Sequence, residues 1–173
     1  MASDVKNVKL GPCAVDFDST DLGYTKGGVE VDITTTRKKI MVDQFGETEV
    51  DEYITGRQVT VRVPLAEHNL ATLAAVIPGA TLVIDGTDAT KMRIDVTSGV
   101  GTSLRDTAAE LVLAPTLGTA NENFTVFLAA PSGDIQFAYR HDEERIYAVE
   151  FTGYVDVDNG NRLYSIGDDT ATA

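Results

Sequence analysis

Val29, Val31 and Ile33 alternate with Glu30, Asp32 and Thr34, and Val59, Val61, Val63 and Leu65 alternate with Thr60 and Arg62, with Pro64 where a strand is ending. Apolar residues at every second position give one dry face only if the chain is extended, because successive strand side chains point to opposite faces. The period then changes. Leu70, Leu73, Ala74 and Ile77 fall at i, i+3, i+4 and i+7, one apolar stripe that Pro78-Gly79 ends. These patterns predict a mostly β fold, an antiparallel β-sandwich or barrel-like sandwich, with one short flanking α-helix at about residues 67–77.

Between the two alternating runs, Ile40 to Val42 reads as a second short strand, and Arg37, Lys38 and Lys39 as a basic turn. Such a tip has two uses: its charges protect a sheet edge from mispairing, or they contact a partner. The stretch 43–56 reads as a long loop. It carries Asp43, Glu47, Glu49, Asp51 and Glu52, but also Phe45, Val50, Tyr53 and Ile54. Connections of more than about 12 residues without structure of their own tend to be functional or disordered, and a disordered one does not carry several large apolar side chains. Those side chains are expected to dock, either on the chain's own sheet or on a neighbouring subunit.

Further strands are predicted at Pro12 to Phe17, Thr81 to Ile84, Met92 to Val96, Glu110 to Ala114, Phe124 to Ala129, Ile135 to Tyr139 and Ile146 to Val157. Asn159-Gly160 is the strongest two-residue hairpin signal, returning the chain through Leu163, Tyr164 and Ile166. Residues 1–9 are expected to be a flexible arm and 167–173 a mobile tail, on a single domain spanning 1–173.

With 27 acidic and 14 basic residues the net charge is −13. Affinity for nucleic-acid phosphates or anionic lipid comes from cations that displace counterions, so gripping DNA or a membrane is not expected. Met1-Ala2-Ser3-Asp4 lacks the basic and apolar regions of a secretory signal, and no run of about 18 apolar residues occurs, so synthesis in a cytoplasm is expected. The single cysteine, Cys13, excludes a disulfide within the chain and a cysteine-cluster metal site. His68 and His141 stand far apart, and His68, at the helix start, reads as solvated or capping. Asp16, Asp18 and Asp21 begin like a calcium loop, but the sixth position is Asp21 and the twelfth Gly27. Asp156, Asp158 and Gly160 fail the same spacing. No catalytic residue, metal site or cofactor is expected, and the chain reads as a structural or binding protein rather than an enzyme.

The phrases Leu22-Gly23-Tyr24-Thr25-Lys26-Gly27-Gly28-Val29-Glu30-Val31, Val42-Asp43-Gln44-Phe45-Gly46, Asp51-Glu52-Tyr53-Ile54-Thr55-Gly56 and Val61-Arg62-Val63-Pro64-Leu65-Ala66-Glu67 before an Ala/Leu helix resemble the major tail (tail tube) proteins of long-tailed, siphovirus-type bacteriophages. The resemblance covers about the first half of the chain. It implies a virion structural protein, six copies of which form a ring around a β-barrel wall. Rings stack into a hollow tube through which phage DNA passes during ejection, without specific binding. The implied partners are further copies of the chain and the tape measure, tail tip and terminator proteins; assembly takes place in the host bacterial cytoplasm.

By position the ring-stacking segment would be 43–56, with Phe45, Val50, Tyr53 and Ile54 docking and Glu47, Glu49, Asp51 and Glu52 registered against Arg37, Lys38 and Lys39 of a neighbour. Glu30 and Asp32, on the wet face of their strand, are lumen candidates together with Glu150; an ordinary outer surface is the alternative. A capsid decoration or adhesin-like sandwich that does not polymerise is the runner-up. A carbohydrate-binding or hydrolytic β-domain is less well supported, since the chain has no Trp.

Overall fold

The computed structural model describes residues 4, 5 and 8–171, so the expectations for the outermost residues of both termini lie partly outside the described residues. In chain order the strands are β1 (Cys13–Phe17), β2 (Thr20–Asp21), β3 (Glu30–Met41) and β4 (Glu49–Leu65). The helix α1 (Leu70–Val76) follows, then β5 (Ala80–Ile84), β6 (Met92–Val96), β7 (Ala109–Pro115), β8 (Phe124–Gln136), β9 (Tyr147–Tyr154) and β10 (Tyr164–Ile166). One sheet has the order β2-β1-β7-β8-β9-β4-β3, with β10 also on β8, and β5-β6 form a separate hairpin. Every pairing is antiparallel. The expected mostly β, sandwich-like fold with one short helix is what forms.

The alternation in β4 explains the core. Val59, Val61, Val63 and Leu65 are all buried, and they meet Val149, Phe151 and Tyr147 of β9 and Leu73 and Val76 of α1 in one cluster. Val15 and Phe17 of β1 and Leu111 and Leu113 of β7 close the other side. Phe17 and Phe151 have ring centroids 5.0 Å apart. Their strands are three spacings apart in the sheet, about 14 Å if it were flat, so the sheet curls over its own core.

The chain after β2 completes that curl. The Lys26 amide donates to the Pro64 carbonyl at 3.0 Å and the Ala66 amide to the Tyr24 carbonyl at 2.8 Å, tying this segment to the end of β4. Glu67 fixes it further by accepting from the Tyr24 amide at 3.0 Å. Glycine is needed at position 23, where φ is +84° and a Cβ would stand 2.9 Å from the Glu67 carboxyl carbon.

Asn69, not His68, caps α1: its Oδ1 accepts from the Ala71 amide at 2.9 Å. His68 instead places Nδ1 2.7 Å from the Tyr147 hydroxyl. At the β5–β6 turn, Asp85 accepts from the amides of Thr87 and Asp88 and from the Thr87 hydroxyl. The Thr87 bonds lead in holding its carboxyl below the usual carboxylate range.

Four expectations change. Residues 30–41 form one strand rather than two strands joined by a basic turn, and most of 43–56 is not a loop but the first half of β4. Phe124 to Ala129 and Ile135 to Tyr139 are not separate strands; β8 runs from Phe124 to Gln136, with an irregularity between Pro131 and Ile135 where two segments had been read. The chain does turn at Asn159-Gly160, where Asp156 and Arg162 bridge, but the return strand β10 pairs with β8 rather than β9. Besides these, β1 and β2 meet in a tight hairpin, with Asp18 and Ser19 both at positive φ.

Candidate functional site

β3 and β4 stay paired from Glu30↔Arg62 to Met41↔Glu49, whereas β9 accompanies β4 only from Thr60 to Leu65. Beyond Val59 the two strands pair, among the described residues, only with each other. They leave the sheet as a ribbon of roughly 27 Å, from Ile33 to Met41 at a strand's rise per residue. The ribbon is closed by a 3-10 turn at Asp43–Phe45 and by Gly46, at φ +60° and ψ −129°, with the Thr48 amide donating to the Phe45 carbonyl at 3.2 Å. Gly46 takes the positive φ of this turn, a conformation that favours glycine.

The register shifts after Thr36 and after Ile40. Thr55 and Val50 are the additional residues, so each bulge twists the ribbon and resets which side chains share a face. Directly paired residues face the same way. One face therefore carries Arg37, Lys39 and Met41 with Ile54, Glu52 and Glu49; the other carries Lys38 and Ile40 with Tyr53 and Asp51.

The cations expected at a hairpin tip lie along the ribbon, and Asp43 to Thr48 form its tip. Arg37 sits 3.7 Å from Glu52, and Lys39 pairs with Glu49. The Glu49 hydrogen bond and charge push the Lys39 ammonium pKa up. The charge complementarity read from the sequence is thus present inside one chain. Phe45, Val50, Tyr53 and Ile54 do not dock on the chain's own sheet; all four are exposed, as is Met41.

The second surface is the outer face of β3, β4 and β9. Glu30 is opposite Arg62, and Arg62 is opposite Glu150. Arg62 Nε donates to Glu150 Oε2 at 3.0 Å. That bond and charge, with Glu30 and Asp32 adding theirs, push the guanidinium pKa up. The three acidic residues read as sharing a surface are brought together around one cation. Glu30 and Glu150, with Arg62, border a groove of about 510 Å³ whose lining includes Lys26, Asp134 and Gln136. Sequence reading missed Arg62 as the centre of this group, although its place between Val61 and Val63 put it on the same wet face as Glu30.

Among the described residues no group of three or more His, Cys, Asp or Glu side chains is arranged to hold a metal ion. Cys13 is partly buried, and burial pushes its thiol pKa up. His141 is exposed beside Asp142. The chemistry offered by the ribbon is non-covalent: apolar side chains, paired charges and an open backbone edge along β3. No protein-family model matches the chain, and no curated protein matches it.

Proposed function

We propose that this chain is a structural subunit of a phage tail tube, in which the β3–β4 ribbon of one copy docks on another and the rings so joined stack into a conduit for DNA. The observation that carries this reading is the ribbon itself. A two-stranded hairpin is marginally stable alone in water, and an exposed edge with apolar side chains favours pairing with another chain. Closure of identical subunits into a ring satisfies such edges without open-ended growth in the plane.

The outer face of β3, β4 and β9 supports the second half of the reading. Glu30, Asp32 and Glu150 outnumber Arg62 there, and such a face repels phosphate, which suits a wall that DNA passes without sticking. On this reading the chain is not an enzyme and needs no cofactor. It works in the virion tail with copies of itself and with tape measure, tip and terminator proteins.

Negative-stain electron microscopy of the purified protein, alone and with tail-tip complexes, tests this. Hollow tubes of uniform width are expected, and none from a variant in which Arg37 to Thr55 is replaced by a two-residue turn joining Thr36 to its partner Gly56. That excision removes both halves of the ribbon in register and leaves the core pairs intact. Single subunits under every condition would move the reading to a non-polymerising decoration protein.

A further inference from the structure

Asn159-Gly160 is the chain's one Asn-Gly pair. Both residues and Asn161 are exposed. Gly160 has φ +82°, and nothing lies within 4 Å of the place a Cβ would take. Its amide nitrogen makes no hydrogen bond among the described residues, so no partner or side chain screens it from the Asn159 carboxamide.

That carboxamide holds the turn together. Asn159 Nδ2 donates to Asp156 Oδ2 at 2.8 Å and the Asn159 amide to Asp156 Oδ1 at 3.3 Å, and Asp156 is buried. The Asp156 amide donates to the Arg162 carbonyl at 2.8 Å. Arg162 Nε donates to the Asn159 carbonyl at 3.0 Å while its guanidinium lies over the Phe127 ring. β10, on β8 at Phe124 to Val126, begins two residues later.

We propose that Asn159 is a spontaneous deamidation site and that its conversion loosens the attachment of β10. The Gly160 amide nitrogen, having given its proton to solvent base, attacks Asn159 Cγ. The new N–Cγ bond forms, the Cγ–Nδ2 bond breaks, and ammonia leaves with a proton from water. Water then opens the succinimide to aspartate or isoaspartate, so one water is consumed, one ammonia is released and nothing is oxidised. The product removes a donor from buried Asp156 and sets a second carboxylate against it, an arrangement of like charges that cannot keep the original bond. Isoaspartate also adds a backbone carbon inside the Asp156–Arg162 bridge.

The test incubates the full chain at neutral and mildly alkaline pH and follows it by peptide mapping with fragmentation. Asn159 should gain a single mass unit on the order of tenfold faster than Asn69, Asn121 or Asn123, because only Asn159 precedes a residue without a Cβ. Its rate should rise with pH, since the attacking species is the deprotonated amide. Hydrogen exchange across Tyr164–Ile166 should quicken in the converted fraction and in a freshly made Asn159→Asp variant; Asn159→Gln should show neither change. Asn159 remaining intact while other asparagines convert overturns the site. Unchanged exchange in Asn159→Asp overturns the coupling to β10.

Discussion

The two halves of β4 carry similar residues and meet opposite fates. Val59 and Val61 are 0% and 1% exposed, while Tyr53 and Ile54, a few residues earlier in the same strand, are 57% and 56% exposed. Local conformation does not distinguish them, since both halves are extended and paired with β3. A second neighbour distinguishes them: β9 and the curled sheet cover the later half, and no strand among the described residues covers the earlier half. Burial belongs to the assembly of strands, and a strand that outruns its sheet offers the same side chains to another molecule.

The largest effect should come from the covered half. Phe151→Ala empties a fully buried site against Phe17 and should cost about 3–5 kcal/mol. Chemical denaturation checks it, and a loss no larger than that from a ribbon substitution would break the comparison.

Gly153→Ala should follow, at about 1–3 kcal/mol. A Cβ there would lie 2.2 Å from Val59 Cγ1 and 2.9 Å from Val126 Cγ1, too close for either to remain in place. An unchanged melting temperature would mean that the core beside β9 is looser than its geometry.

The double change Tyr53→Ala with Ile54→Ala reverses the pattern. Subunit stability should move by no more than about 0.5 kcal/mol per site, as for exposed positions without special roles, yet tube formation should be lost. Melting curves and microscopy of the same preparation separate the two. A large loss of stability would mean that these side chains support the subunit after all.

Among the cations, Lys38→Glu is the cleaner probe. Arg37 and Lys39 pair with Glu52 and Glu49 in their own chain, whereas Lys38 makes no ion pair among the described residues. Its reversal should leave the ribbon intact and slow tube growth mainly at low salt, where steering charges act furthest. Growth rates identical to the parent at every ionic strength would remove Lys38 from the interface.

The smallest effect concerns pH. The Asp85 and Asp88 carboxyls are held low by Thr87 and Thr90. A depressed folded-state pKa contributes stability above the unfolded value, near pH 4, and that contribution is lost as pH falls through the folded value. Protection of the β5–β6 turn amides, relative to the intrinsic exchange rate at each pH, should therefore fall below about pH 4. Unchanged protection of those amides through that range would mean that the Thr87 and Thr90 bonds add no pH-dependent stability to the turn.

Much of this was legible before the fold was known. The alternation at Val59 to Leu65 and the stripe at Leu70 to Ile77 identified the β4 core face and α1, because side-chain period is a local property. Glu30 and Asp32 shared a face for the same reason. The ribbon was misread as strand, basic turn and loop. Two bulges break its alternation, and its cross-strand charge pairs resemble a polar loop when read along the chain. The partner of β10 was also out of reach, since Asn159-Gly160 specifies a turn but not which edge is free to receive the returning strand.

The amino-acid order by itself determined that residues 59–65 are extended with Val59, Val61, Val63 and Leu65 on the dry face, that Leu70 to Val76 are helical, and that the chain carries a net charge of −13. Tertiary structure decided how the sheet curls to bring Phe17 onto Phe151, where β9 stops accompanying β4, and that Glu30, Asp32 and Glu150 surround Arg62. Period and propensity act over a few residues, but burial and charge partnership depend on strands far apart in sequence, whose meeting only the folded sheet fixes.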